Sequence, residues 1–296
     1  MPIKKKGDVI DGYRVLAEIG RGAASVIYLV QEIKTKQIWA LKQVEKQTDK
    51  DQRFLDQAEE EAKVAQTINH PGIRKIKKVI KKGSFLAVKE LFLVMEFVDG
   101  ISLEKHPPET FEAAVDIFHQ TALALSAMHE AGYVHADMKP NNIVISEDGS
   151  IKVIDLGQSC PIGTVKPRIQ GTPDYIAPEQ VHRRPITPLT DVYNFGATMY
   201  WVLTRQHVPT ALAKGDSLMG SLDDNLIAKP TRTIELNPRI LPKLDEIVMQ
   251  CVEVQEKDRP KSMHEVADRL NLILGIVRAK SESTRSGLPA LTQDED

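Results

Sequence analysis

The stretch Tyr133-Val134-His135-Ala136-Asp137-Met138-Lys139-Pro140-Asn141-Asn142 gathers a carboxylate, an amine and a carboxamide, and Asp155-Leu156-Gly157 adds a second carboxylate further on. Between them, Ile143 to Ile145 and Ile151 to Ile154 read as two short strands around the turn Glu147-Asp148-Gly149. In an antiparallel hairpin the start of the first strand lies beside the end of the second, so Asn142 and Asp155 are expected at one end. Two oxygen donors there suit magnesium, a hard cation that keeps waters and phosphate oxygens as its other ligands. Asp137 and Lys139 lie on the loop just before and would reach a phosphoryl group held there. A polar loop capped for structural reasons alone is the competing reading, and so many functional groups in order speak against it.

The elements upstream must supply the other side of such a site. Tyr13 to Ile19 and Ser25 to Val30 alternate around the turn Gly20-Arg21-Gly22-Ala23-Ala24-Ser25-Val26, which predicts a hairpin. Glycines let a turn lie close over phosphates because no Cβ blocks the approach. A glycine turn can equally be structural, and Ser25 replaces the last glycine of G-x-G-x-x-G. Ile38 to Val44 is a third strand, with Ile38, Ala40, Lys42 and Val44 on one face. Arg53 to Thr67 reads as a helix whose stripe Phe54, Ala58, Glu61, Ala65 and Ile68 places Glu61 inside the apolar face. A buried carboxylate needs a partner, and Lys42 is the nearest of suitable type. A solvated Lys42 and a rotated helix with Glu61 exposed stay open.

The helix ends before Asn69-His70-Pro71-Gly72. Ile73 to Val79 and Leu91 to Phe97 read as strands, with Phe85 to Val88 as an addition. After Asp99-Gly100 the helical period dominates: Phe111 to Ala131, Thr190 to Thr204 and Leu241 to Val254. Strands followed by helices make an α+β arrangement with a border at Glu96 to Gly100. The segment from Lys280 to Asp296 is polar, lacks a period and reads as disordered.

The chain has 296 residues, 42% apolar and 27% charged, with a net charge of −2, which suits two lobes with a real core. That balance gives no single-sign field for nucleic acid or an anionic membrane. Two cysteines, Cys160 and Cys251, make no disulfide framework. No apolar run approaches a membrane span, and the start lacks the apolar core of a signal peptide. The chain reads as soluble and cytoplasmic, and a longer, membrane-anchored parent stays open.

These residues resemble a eukaryotic-type protein kinase, nearest to its bacterial serine/threonine branch, from about Tyr13 to Leu274. The glycine-rich loop matches Gly20 to Val26. Trp39-Ala40-Leu41-Lys42 stands for Val-Ala-Ile-Lys, and Glu61 for the glutamate of the N-lobe helix. Met95 falls at the gatekeeper, with Glu96 to Val98 as the hinge. His135-Ala136-Asp137 stands for His-Arg-Asp, Asp155-Leu156-Gly157 for Asp-Phe-Gly, and Ala177-Pro178-Glu179 for Ala-Pro-Glu. Asp191 and Gly196 match the following helix, and Arg259 the late arginine that pairs with Glu179.

The resemblance implies a bilobal fold: an extension over 1–12, an N-lobe over 13–95, a hinge over 96–100, a C-lobe over 101–275 and a disordered tail over 276–296. It implies ATP and magnesium, or manganese in its place, as cofactors, and protein serine or threonine hydroxyls as acceptors, with autophosphorylation. Ile19, Gly20, Gly22, Ser25, Val26, Ala40, Met95, Glu96 and Val98 would contact the nucleotide. Lys42, held by Glu61, would contact the α- and β-phosphates, Asn142 and Asp155 would hold the metal, Asp137 would accept the hydroxyl proton and Lys139 would steady the γ-phosphate. Lys139, two residues after Asp137, and Gly171-Thr172-Pro173 resemble the serine/threonine branch. Three departures stand out: Ser25 for glycine, Leu156 for phenylalanine and Ala136 for arginine. The arginine reads a phosphorylated activation segment in the family, so alanine implies weaker dependence on that phosphorylation. The segment's hydroxyls are Ser159, Thr164 and Thr172, and Thr172 reads as a substrate-loop residue. His135, Trp39, Trp201 and Cys160 read as structural. The rival functions are a pseudokinase or nucleotide-binding scaffold, and a kinase-fold enzyme of small molecules.

Overall fold

Alternation with period two builds the first half of the molecule. In the computed structural model, which describes residues 3–22, 24–48, 51–84, 87–210, 224 and 227–286, six antiparallel strands form one sheet. They are β1 (Val9–Ile10), β2 (Tyr13–Arg21), β3 (Ser25–Glu32), β4 (Ile38–Glu45), β5 (Ile76–Ser84) and β6 (Ala87–Glu96), in the order β1-β2-β3-β4-β6-β5. One face gathers Tyr13, Val15, Val26, Tyr28, Leu41, Phe92 and Val94 into a core of its own. The other face turns Ala40, Val44, Leu91, Leu93 and Met95 toward α1 (Gln52–Thr67), which buries Leu55, Ala58, Ala62 and Ala65 against them. Each large apolar side chain buried this way contributes about 1.5–3 kcal/mol of transfer free energy.

The backbone leaves the sheet after Glu96, and residues 97–100 carry no regular structure. Gly100 is the pivot. A Cβ there would lie 2.9 Å from the carbonyl carbon of Ile145, so the crossing into the second half excludes any side chain. There β7 (Ile101–Ser102) joins β9 (Ile143–Ile145) and β10 (Ile151–Val153) in a small sheet, and β8 (Tyr133–Val134) pairs with β11 (Cys160–Pro161). The rest is helical: α2 (Phe111–Glu130), α3 (Pro178–Val181), α4 (Pro188–Thr204), α5 (Thr233–Leu236), α6 (Pro242–Cys251) and α7 (Met263–Ser286). Helix α4 starts where the Thr187 hydroxyl accepts from Leu189 N and Pro188 pre-sets the first turn. It is apolar almost all round and runs through the middle of the helical half. Its Phe195 meets Phe118 of α2 edge to face, ring centres 6.1 Å apart. The molecule is the bilobal α+β fold that the residue pattern implied.

Four boundaries differ from the sequence reading. The supposed extension over 1–12 supplies β1, with Ile10 buried in the sheet's own core. Two paired residues are too short to show a period. The strand expected from Ile73 starts at Ile76; Ile73 instead makes a lone parallel bridge to Val153 of β10. Glu96, expected in the hinge, ends β6 opposite Trp39. The tail expected to be disordered from 276 is helical as far as Ser286, because Val277 packs on the core and Arg278 bonds Glu112 and Asp116 of α2. Residues 287–296 of that tail, Ala23 of the glycine turn, and Phe85 lie outside the described residues. No described helix is long and apolar enough to cross a membrane.

Candidate active site

Lys42 leaves β4 on the face that looks at α1, and there it meets Glu61. Nζ lies 2.6 Å from Glu61 Oε2, with the carboxylate 1% exposed. Burial alone would depress the ammonium; Glu61 and then Asp155 outweigh it and raise Lys42 above its ordinary range. Arg74, just past Ile73, shares the same carboxylate at 3.3 Å. Its own backbone N donates to Val153 O, and Val153 N donates to Gly72 O at 2.7 Å. The connection after α1 is therefore tied to the hairpin that presents Asp155.

That hairpin pairs Ile143 with Val153, and Ile154 N donates to Asn142 O, which brings Asn142 beside the residue preceding Asp155. Asp155 has a left-handed backbone, φ 62°. An unfavourable conformation of this kind costs on the order of 1–3 kcal/mol, and here it turns the carboxylate to within 3.9 Å of Lys42 Nζ. Partial desolvation in the cleft would raise the half-exposed Asp155 carboxyl, but Lys42 and Arg74 hold it below the ordinary range, so it stays charged. Gly157 follows closely: a Cβ there would sit 3.3 Å from Asp155 Oδ1 and 3.8 Å from Glu61 Oε2.

The loop carrying Asp137 hangs from α4. Asp191 is buried and accepts from His135 N and Ala136 N, both at 2.8 Å, while His129 Nε2 lies 2.8 Å from Oδ2. Ala136 takes φ 60° there, and its carbonyl accepts from Gln180 Nε2. The His135 ring is wholly buried, with Nδ1 accepting from Asp137 N, which is a structural role. Both oxygens of Asp137 are engaged: the Thr172 hydroxyl donates to Oδ1 and Lys139 Nζ to Oδ2, each at 2.8 Å. Lys139 also donates to the Thr172 oxygen. Asn142 Nδ2 donates to Asp137 O at 2.9 Å, which leaves Asn142 Oδ1 as the oxygen donor. Asn142 Oδ1 and the charged Asp155 carboxylate are hard oxygen donors, so the donor set fits magnesium.

One cavity of about 310 Å³ brings together Lys42, Glu61, Asp137, Lys139, Asp155 and Ser25. Gly20 and Gly22 lie on the turn above, where a Cβ on Gly22 would fall 2.9 Å from Ser25 Oγ. Ala40 and Met95 sit opposite one another on the Lys42 face, with Met95 fully buried. Ile19 is exposed and Val98 half-buried at the edge. The Glu96 side chain is occupied otherwise, bonding Lys75 N and Lys152 Nζ. Val26 is a correction. It points into the sheet's own core, away from Lys42, because β3 alternates and Ile27 is the residue opposite Lys42. A count of the period from Lys42 would have selected Ile27.

Sequence reasoning missed Arg74 and Gln180. Nothing in the pattern around Arg74 marks it, since its partner is thirteen residues away on another element. Gln180 accepts locally from Ala177 N and also bridges Ala136 O, Gln170 O and Asn194, contacts that only the tertiary fold creates. Arg259 and Glu179 do form the expected pair, two parallel bonds of 2.8 and 3.0 Å. Leu156 is buried in the main core.

The family described as "Protein kinase domain" matches residues 13–270. A probable serine/threonine-protein kinase of Clostridium acetobutylicum is 30% identical over 292 residues, covering 96% of this chain and 43% of its own length. The serine/threonine-protein kinase PknL of Mycobacterium tuberculosis is 31% identical over 255 residues, covering 83% of this chain and 62% of its own length. The chain thus spans about half the length of the curated relatives it matches.

Proposed function

The chain belongs to the protein kinase family, and from that premise we propose that it transfers the terminal phosphoryl group of ATP to serine or threonine hydroxyls of proteins. The observation that carries the proposal is the single cavity where Lys42, Glu61, Asp137, Lys139 and Asp155 meet. Lys42, fixed by Glu61, binds the α- and β-phosphates under the turn of Gly20, Gly22 and Ser25. Ile19, Ile27, Ala40, Met95 and the backbone of Glu96 to Val98 enclose the base of the nucleotide. Asn142 and Asp155 would hold the metal; magnesium, or manganese in its place, would supply positive charge to the phosphate oxygens when bound. Asp137 takes the proton of the acceptor hydroxyl as its oxygen bonds to the terminal phosphorus. The bond from that phosphorus to the bridging oxygen breaks and leaves ADP. Lys139 offsets charge on the transferring group, and with Thr172 it fixes both oxygens of the base.

The proposal extends to control. Where the family's arginine would stand, Ala136 packs with Val134, Cys160 and Ile186 in an apolar cluster. Ser159 is buried, Thr164 Oγ1 donates to Pro161 O, and Thr172 holds the base. The segment is therefore anchored by packing and backbone pairing, with its serine and threonine hydroxyls engaged or buried.

The decisive experiment uses purified protein, labelled ATP, magnesium and a generic protein substrate. Label should pass to the substrate and to the protein itself. Asp137→Asn should abolish transfer while leaving ATP binding nearly intact, since Asp137 meets the acceptor and Lys42 the nucleotide. Wild-type protein that binds ATP and transfers nothing would instead establish a nucleotide-binding scaffold.

A further inference from the structure

A second cavity, of about 410 Å³, opens beside the base. Lys139 and Thr172, both bonded to Asp137, form its inner wall. Glu104, Asn141, Asp174, Tyr175, Trp201 and His207 line the rest. Lys139 is the cation in that wall, and it is already paired with Asp137. Neither Glu104 nor Asp174 forms an ion pair or hydrogen bond with a described residue through its carboxylate. The cavity thus carries two uncompensated negative charges.

Tyr175 points the same way. The residue is 6% exposed, and its hydroxyl, which forms no hydrogen bond with a described residue, opens to the cavity. Burial, and then Glu104 and Asp174, push its phenol well above the ordinary range, so it is protonated and available. Its ring meets His207 edge to face, centres 5.6 Å apart, while Trp201 already receives Arg205 over its ring at 4.9 Å. A planar cation with several donors satisfies all of this: donors to two carboxylates and the phenol oxygen, and a flat face for the aromatic wall.

We propose that this cavity is a subsite for a basic residue of the protein substrate, arginine by preference, close in sequence to the phosphoacceptor. The inference rests on the kinase reading above and names the substrate class. One side chain, Lys139, spans from the base to the cavity, and an extended chain advances about 3.3 Å per residue, so the basic residue lies within about three positions of the acceptor. Carboxylates open to solvent form modest pairs, and two of them with an aromatic wall give a preference of about tenfold.

The test is a matched peptide set with one serine acceptor. A single Arg, Gln or Glu is walked through the three positions on either side, with purified protein and magnesium-ATP. At one position kcat/KM should be about tenfold higher for Arg than for Gln, mainly through KM, and lower still for Glu. The double variant Glu104→Gln with Asp174→Asn should bring the Arg/Gln ratio near one. Glu104→Lys should turn the preference toward Glu. These ratios are taken within one preparation, so a partly folded variant does not distort them. A wild-type ratio near one at every position overturns the proposal, as does a ratio unchanged in the double variant. Transfer to no peptide and no generic protein overturns the kinase reading itself, and this subsite with it.

Discussion

Glu61 is shared by two cations, and that sharing makes a prediction with a sign. Its carboxylate is 1% exposed and contacts Lys42 at 2.6 Å and Arg74 at 3.3 Å. Removing one partner of a buried ion pair costs about 3–5 kcal/mol because the other charge is left unpaired. Lys42 retains Asp155 at 3.9 Å, so Glu61→Gln should fall at the low end, about 3 kcal/mol. To the extent that this loss falls on the placing of Lys42 in the transition state, kcat/KM for ATP drops, by up to about 100-fold at 1.36 kcal/mol per decade. Arg74→Met in the wild type removes the longer bond, worth about 1–1.5 kcal/mol, and should lower kcat/KM about tenfold. In the Glu61→Gln background the same change does the opposite. Arg74 is then a second cation beside Lys42 with no carboxylate between them, so Arg74→Met should raise kcat/KM several-fold. The coupling in this double-mutant cycle is about 2–3 kcal/mol. Initial rates over a range of ATP, at fixed protein substrate, measure all four corners, with urea midpoints tracking folding in parallel. An Arg74→Met loss of equal size in both backgrounds would refute the shared-carboxylate reasoning.

Three further outcomes follow from other contacts. Phosphatase-treated protein should retain most of its activity, because Ala136 sits in an apolar cluster with Cys160 and Ile186; collapse to background in the label-transfer assay would contradict that account. Gly196→Ala would place a Cβ 2.5 Å from Cys251 Cβ and 3.0 Å from Val252 Cγ1; overpacking of about 1–3 kcal/mol should lower Tm by about 3–10 °C in a thermal melt, and an unchanged Tm would show that the helices slide apart freely. Burial pushes the Cys251 thiol up to about 12, so native protein at pH 8 should resist a thiol-disulfide reagent at Cys251 until denaturant is added. The sign for stability is fixed as well: this thiol's contribution is whole below the unfolded value near 8.5 and is lost as pH rises toward about 12, and a urea midpoint that climbs over that range would show the reverse.

How much of this was legible depended on the distance over which each contact acts. The hairpin that joins Asn142 to Asp155 was readable because two short apolar runs flank a turn, and antiparallel pairing then fixes which ends meet. Glu61 was readable because a lone carboxylate in an apolar helical stripe demands a cation. Val26 was misplaced by one residue, and with a period of two that error reverses the face completely. Arg74 left no trace, since an arginine after a turn looks solvated until the fold brings a carboxylate to it. The end of α7 was hidden for a similar reason: Val277 and Arg278 are held by α2, far away in the chain. The cavity lined by Glu104 and Asp174 likewise needs residues from 104 to 207 to converge, and no local pattern announces that.

Asp191 ties the loop of the base, through His135 N and Ala136 N, to the helix at the centre of the second half. In terms of populations, freeing that loop breaks two bonds to a carboxylate buried at the centre of the second half, which would leave that charge without those donors. The fold therefore favours molecules with Asp137 in place. The Lys42–Glu61 contact has no such guarantee, because it joins β4 to α1 through side chains. On the proposed roles, a signal that adjusts the rate would have more leverage on the Lys42–Glu61 contact than on Asp137.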